Sequence, residues 1–306
     1  MGLVLIDINI VLNLVLAMIM FGLGLSLRKE DFQQLFIQPK SLAIGLFAQM
    51  VILPLVAAAI AIYAPIANEL KVGILILSVC PGGITSNLIS YLIKGNVALA
   101  VSLTVCNALL SLISIPIMVN FFLHYFMKES ALANEFIQLP FWNTLFDIFI
   151  VTIIPAAFGM LVRSRTGDRT LFLGKWLNII LPCILLLVFA YKFFASPSQG
   201  GTAMDIADVQ LLTPYVITLN IGSMLIGFLV GVPLKLSYRN RVTIAIEVGL
   251  HNTALALLIA GDKLGNPVME KPILVYAAYS FFVTFAIAFL LVTFRNKVLK
   301  KSLDVE

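Results

Sequence analysis

From residue 3 onward the chain is a succession of apolar runs of roughly 20 residues, separated by short polar or charged stretches. At about 1.5 Å per residue such a run crosses about 30 Å of hydrocarbon as a helix. The pattern predicts about nine spans: 3–27, 41–64, 71–93, 96–124, 143–162, 172–194, 210–232, 240–261 and 273–294. The ten-residue alternation of an outer-membrane barrel is absent. The expected fold is therefore an all-α polytopic membrane protein, a single transmembrane domain over 1–306 with no soluble domain. The first run, MGLVLIDINIVL, lacks the basic flank and small-residue cleavage site of a signal peptide, so it is expected to stay in the mature protein.

Composition supports this reading. Hydrophobic residues make up 61% and charged residues 11% of the chain, whereas a soluble domain is about a quarter charged. Charge also orients the spans. With the N-terminus outside, the inner loops and tail collect Arg28, Lys29, Lys40, Lys94, Arg163, Arg165, Arg169, Lys175, Lys235, Arg239, Arg241, Arg295, Lys297, Lys300 and Lys301. The outer loops keep only Lys71, Lys128, Lys192, Lys263 and Lys271. Positive charge belongs on the cytoplasmic side, so this count predicts an outside N-terminus and a cytoplasmic C-terminus. The basic residues are dispersed among loops, which excludes nucleic acid as a partner. Cys80, Cys106 and Cys183 all fall inside spans, so neither a disulfide framework nor a metal-ligand spacing is expected.

Two spans depart from plain hydrophobicity. Span three reads KVGILILSVCPGGITSNLISYLIKG. Pro81 removes a backbone donor and disfavours helical geometry at Cys80, and Gly82 and Gly83 tolerate almost any dihedral. A break near mid-membrane leaves backbone groups that must line a cavity or bind something, and Thr85, Ser86 and Asn87 follow it. The plainer alternative is a proline kink satisfied by neighbouring helices. Span eight contains IAIEVGLHNTALA at 244–256, with Gly249 between a carboxylate and an imidazole. The two spans run in opposite directions, as expected of inverted repeats that meet at a midplane site. Spans one to four would match six to nine, with span five extra.

Of the fifteen acidic residues, Glu247 is placed deepest in a span, with Asp147 its nearest rival. An ionised carboxylate at that depth costs at least a few kcal/mol unless paired. Either it is a protonated structural group bonded to a carbonyl, or a bound cation keeps it charged. Carboxylate, hydroxyl, amide and carbonyl oxygens suit a hard cation.

These residues resemble the bile acid:sodium symporter family. CPGGITSNLISYLIKGNVALA at 80–100 looks like that family's most distinctive stretch, and EVGLHN at 247–252 like its second motif; FGLGLSL at 21–27 and the region from Gln49 to Pro54 also match. The resemblance implies a nine-helix form of a fold whose bacterial members commonly have ten, in a bacterial inner membrane. It implies a core of spans 41–64, 71–93, 96–124, 210–232, 240–261 and 273–294, and a panel of 3–27, 143–162 and 172–194. It further implies a first sodium site from Ser86, Asn87, Thr104 and Glu247. A second would use Gln49, Glu247, His251 and carbonyls near Val248 and Leu250. Asn252 would face the substrate, with Thr85 and the helix start after Gly83 beside it. Two positions differ from the family pattern: Ala100 where serine is common, and His251 where glutamine is usual. A neutral imidazole offers sodium a nitrogen and a protonated one repels it. If the helix stays regular, Glu247 and His251 share a face and could pair.

The function this implies is import of an organic anion, bile-acid-like or a small carboxylate or sulfated metabolite, coupled to sodium by alternating access in a monomer. No enzymatic activity is expected. The rival from residues alone is a membrane-embedded hydrolase using Ser86, His251 and Glu247. A proton-coupled or uncoupled anion transporter of the same fold, or a channel, also stays open.

Overall fold

The computed structural model describes residues 7–27, 37–128, 138–167 and 170–303. Residues 3–6 of the first expected span, and Arg28, Lys29 and Arg169, lie outside the described residues. Among the described residues every regular element is a helix. In chain order these are α1 (Ile8–Ser26), α2 (Pro39–Tyr63), α3 (Asn68–Val79), α4 (Ile84–Leu92), α5 (Val97–Met127), α6 (Phe141–Thr166), α7 (Thr170–Phe194), α8 (Ile206–Leu229), α9 (Tyr238–Gly249), α10 (Thr253–Leu257, extended by a π-turn over Leu258–Lys263) and α11 (Pro267–Leu303).

Among the described residues seven helices are long and apolar enough to cross a bilayer, with α9 and α10 taken together as Tyr238–Lys263, or eight if the bent pair α3 and α4 is one span. The sixth expected span, 172–194, coincides with α7, whose separately apolar part is Ile180–Phe194. The helices start where polar caps allow. Asp7 accepts from Asn9 N–H at 2.9 Å before α1, Asn96 from Leu99 N–H at 3.2 Å before α5, and Asp205 forms a capping box with Asp208 before α8; each satisfies donors that the first turn leaves open. α11 begins at Pro267, ahead of the expected 273, which brings Glu270 and Lys271 into its first turns.

Small residues set how closely the helices approach. α1 packs along α6 and α7. A Cβ at Gly24 would run into the backbone of Ala156, and one at Gly159 into the backbone of Phe21 and Leu25, so these two helices touch backbone to backbone, as membrane helices do at small residues. A second group forms around α3, which packs on α2, α5 and α11, and around α8, which packs on α9 and α11.

Polar contacts identify the two ends of the bundle. At one end Asn96 Nδ2 donates to Gln38 (3.0 Å) and Asn240 (2.8 Å), and Arg239 donates to the Gly95 carbonyl at 2.9 Å. At the other lie the ion pairs Lys192–Glu270, Lys263–Asp147 and Lys271–Asp208. The chain from α3 to α4 runs toward the Arg239 end and the chain from α9 to α10 runs away from it, so the two segments are antiparallel. In the most apolar part of Tyr238–Lys263, 89% of the residues are buried, against 17–44% in the corresponding parts of the other long spans, so protein surrounds it rather than lipid.

Candidate functional site

Both segments are interrupted at the same level. α3 ends at Val79, and Cys80 is extended (φ −76°, ψ 135°). Gly83 is extended as well (φ −130°, ψ −173°) before α4 begins, and the two halves are bent by 59°. α9 ends at Gly249, Leu250 is extended (φ −115°, ψ 116°), and α10 begins at Thr253. The breaks satisfy one another: Asn252 N–H donates to the Pro81 carbonyl at 2.7 Å. Gln49 Nε2, in a π-turn of α2, donates to the Cys80 carbonyl at 3.1 Å.

Glu247 sits beside the first break and is 1% exposed. Ser86 Oγ donates to its Oε2 at 2.6 Å and Thr104 Oγ1 to its Oε1 at 2.6 Å. Asn87 Oδ1 is 3.4 Å from Thr104 Oγ1, and Asn87 Nδ2 is buried without a partner. A side chain at Gly82 would occupy the place of the Glu247 carboxylate. The four residues assigned to the first site by resemblance are thus brought together, with hydroxyls as the hydrogen-bond partners of the carboxylate. Each hydroxyl also has a second acceptor in reach: the Gly83 carbonyl, 2.7 Å from Ser86 Oγ, and the Ala100 carbonyl, 3.1 Å from Thr104 Oγ1.

The residues assigned to the second site form a less complete set. Gln49 Oε1 is buried and unpartnered, and Val248 and Leu250 are buried. His251 is 4% exposed, and neither ring nitrogen has a hydrogen-bond partner among the described residues; its ring stacks on Tyr276 with centroids 5.1 Å apart. Pairing between Glu247 and His251 requires a continuous helix, and the helix stops at Gly249. The pair is not formed. The same geometry removes the hydrolase arrangement: Ser86 Oγ is bonded to Glu247 and the Gly83 carbonyl, and His251 contacts neither as a base.

Of the substrate-side residues, Thr85 is exposed, and a Cβ on Gly83 would meet only Thr85 Oγ1 at 3.9 Å, so space lies before the first turn of α4. Asn252 is mostly buried and its Oδ1 caps α10 by accepting from Leu255 N–H at 3.0 Å.

Sequence reasoning missed the residues that hold the second break. The Gly249 carbonyl accepts from Asn220 Nδ2 at 2.6 Å and from Tyr276 Oη, and Asn220 Nδ2 is 3.0 Å from Thr284 Oγ1. Their trace in the sequence is a lone Asn in TLNIG and a Tyr in LVYAA, polar groups within apolar runs. It also read Lys192 as an outer-loop residue, whereas Lys192 and Glu270 are each 1% exposed and bonded at 2.6 Å.

Comparison with known proteins identifies the family. The sequence profile of the Sodium Bile acid symporter family matches residues 13–196. An uncharacterized sodium-dependent transporter of Bacillus subtilis, YocS, is 29% identical over 88% of this chain and 78% of its own length. The mouse ileal sodium/bile acid cotransporter is 26% identical over 94% of this chain and 80% of its own. A probable chloroplastic sodium/metabolite cotransporter of rice, BASS2, is 26% identical over 84% of this chain; the match spans 58% of the rice protein. The profile covers more than half of the chain, on the stretch that contains the first break with Ser86, Asn87 and Thr104, and the chain is a polytopic membrane protein that belongs to the sodium bile acid symporter family.

Proposed function

We propose that this protein imports an organic anion by alternating access and that a sodium ion bound at Glu247 drives the step. The observation that carries this reading is a carboxylate buried to 1% exposure whose hydrogen-bond partners are two neutral hydroxyls. Without compensation that charge would cost several kcal/mol. Oxygens from Glu247, Ser86, Thr104 and Asn87 make a set suited to a hard cation. Because each hydroxyl has a backbone acceptor as an alternative, its proton can turn away from the carboxylate to the Gly83 or Ala100 carbonyl. Both hydroxyl lone pairs would then face the ion. The site could accept sodium by rotating two hydroxyls, with no movement of helices.

Two interrupted helices joined at Asn252 N–H and the Pro81 carbonyl would transmit occupancy from one segment to the other. The anion would bind in the space before Gly83, where the uncapped amino end of α4 presents N–H donors and the positive end of the helix dipole. Asn252 and Thr85 would complete that surface. We assign α2–α5 and α8–α11 to the core and α1, α6 and α7 to the panel against which it moves, with the Arg239 end cytoplasmic. His251 replaces an oxygen donor with a ring that stacks on Tyr276, so the second cation site is weakened or absent and one sodium per anion is the expected coupling.

The test is uptake into proteoliposomes under an inward sodium gradient, with a bile acid, a keto acid and a sulfated sterol as probes. Sodium should drive accumulation of at least one, and potassium should not. Equal uptake in both salts would leave an uncoupled carrier of the same fold. A single-cysteine protein tests orientation: Ser198, in the exposed turn Pro197–Gln199, should react with an impermeant maleimide from outside. Reaction at Ser198 only after lysis would reverse the topology.

A further inference from the structure

Among the described residues, three contacts that carry charge join the α1, α6, α7 group to the rest of the bundle at the end opposite Arg239. Lys192, near the end of α7, bonds Glu270 at the start of α11 at 2.6 Å. Lys263, closing the π-turn after α10, bonds Asp147 of α6 at 2.7 Å and Asp262 at 3.1 Å. Asn13 Nδ2 of α1 donates to Asp262 Oδ2 at 3.3 Å. Each helix of the first group is therefore tied at this end to the segment Asp262–Glu270. At the Arg239 end the contacts described above for Arg239 and Asn96 lie within the second group, as does the bond from Arg241 Nε to the Phe228 carbonyl at 3.1 Å, and Arg163 Nη1 donates to the Leu25 carbonyl within the first.

The Lys192–Glu270 pair is built into its place. Lys192 Nζ is also 3.2 Å from the Gly200 carbonyl. The loop after α7 folds back over it, with Thr202 N–H on the Lys192 carbonyl (2.8 Å), Met204 N–H on that of Phe193 (2.9 Å) and Ala203 N–H on that of Ala195 (2.8 Å). Gly261 gives the pair room: a Cβ there would run into Glu270 Oε1 and lie 3.2 Å from Lys192 Nζ. A buried ion pair contributes little net stability compared with apolar side chains of the same volume, because desolvation offsets its attraction. Its particular property is reversibility. When such a seam opens, water rehydrates both charges, whereas an apolar seam would expose oily surface.

We propose that Lys192–Glu270, with Lys263–Asp147 and Asn13–Asp262, is the latch that closes the end of the bundle opposite Arg239, and that this end opens by parting these three contacts together. The proposal rests on the alternating-access reading. The latch holds the structure with that end shut, and the wetting of Lys192 and Glu270 lowers the cost of the opposite state. Gly261 and the loop over 195–204 are parts of the same device, since they keep water from the pair while it is shut.

The test uses purified full-length protein in detergent, where a maleimide reaches both ends. Cys106 and Cys183 are replaced by Ala, and Leu16, fully buried on the Asn13 face of α1 one turn further along, is changed to Cys as the reporter. Lys192→Met with Glu270→Gln removes both charges together, so neither is left buried alone. Reporter labelling should then be about tenfold faster, as expected when a minor open state rises from about 1% to about 10% of the population. Should that double variant melt earlier than the parent, Lys263→Gln with Asp147→Asn carries the test, because that pair is partly exposed and its loss spares the fold. Unchanged labelling in both double variants would overturn the latch. Labelling requires neither cation nor anion, so its failure would leave the sodium response at Glu247 untouched, and loss of that response would leave the labelling result standing.

Discussion

The two breaks that meet at Glu247 are opened by different forces. The first, Cys80–Gly83, is broken by its own residues: proline removes a donor and two glycines follow, and the segment bends by 59°. The second, Leu250–Asn252, has no proline, and its single glycine closes α9. It bends less than the first and is kept open from outside, by Asn220 and Tyr276 on the Gly249 carbonyl and by the Pro81 carbonyl on Asn252 N–H. The first break is thus a rigid feature of local chemistry. The second depends on tertiary hydrogen bonds, and it carries the carboxylate. Loss of those tertiary hydrogen bonds would therefore shift the second segment, with the first as the fixed reference.

This contrast can be broken first at the glycines. Gly82 and Gly83 are neighbours, yet a methyl group at Gly82 collides with the Glu247 carboxylate while one at Gly83 meets open space. Gly82→Ala should abolish sodium-induced thermal stabilisation, and Gly83→Ala should retain it while weakening anion binding. Equal losses in the two variants would mean that backbone freedom, rather than contact with Glu247, is what both positions supply.

The next effect concerns the second break. Asn220→Ala leaves the Gly249 carbonyl with one donor fewer in a buried setting, a loss of about 1–3 kcal/mol, and Tyr276→Phe should cost about 1 kcal/mol. Both should lower the melting temperature and the sodium affinity together. A fall in melting temperature with an unchanged sodium midpoint would show that the second break is scaffold only.

Smaller still is the removal of one ligand. Thr104→Val keeps the shape of the side chain but deletes the hydroxyl on Oε1. Sodium affinity should fall about tenfold, the equivalent of one charge-assisted hydrogen bond, and the sodium-free protein should melt lower because a buried carboxylate oxygen loses its donor. The mildest variant is His251→Gln, which adds an amide oxygen and removes the stack on Tyr276. It should raise sodium affinity about threefold or add a second binding event in calorimetry. An unchanged isotherm would make His251 a packing residue.

What the sequence disclosed follows the same division. The first break was legible because its cause is written in three consecutive residues, Pro81, Gly82 and Gly83. Glu247 was legible because a carboxylate inside an apolar run has few explanations. The clamp on Gly249 was not, since Asn220, Tyr276 and Thr284 come from two other helices and each reads alone as an ordinary polar residue in a span. The separation of Glu247 from His251 was hidden for a related reason: spacing of four implies a shared face only while the helix continues, and nothing local stops it at Gly249 as firmly as Pro81 stops α3. Lys192 was placed in a loop because hydropathy assigns charged residues to span ends, and its burial with Glu270 arises only when the start of α11 meets the end of α7.

The most direct measurement is the sodium dependence of thermal unfolding in the wild type and in Glu247→Gln, with potassium as control. Ligand binding to the folded state alone stabilises it by RT ln(1 + [L]/Kd), about 1.4 kcal/mol at ten times the dissociation constant. The wild type should show a saturable rise in melting temperature with sodium and none with potassium. Glu247→Gln preserves the shape and the partners of the side chain while removing its charge, and its melting temperature should be flat in sodium. A sodium response of undiminished size in Glu247→Gln would contradict the assignment of the cation to this carboxylate.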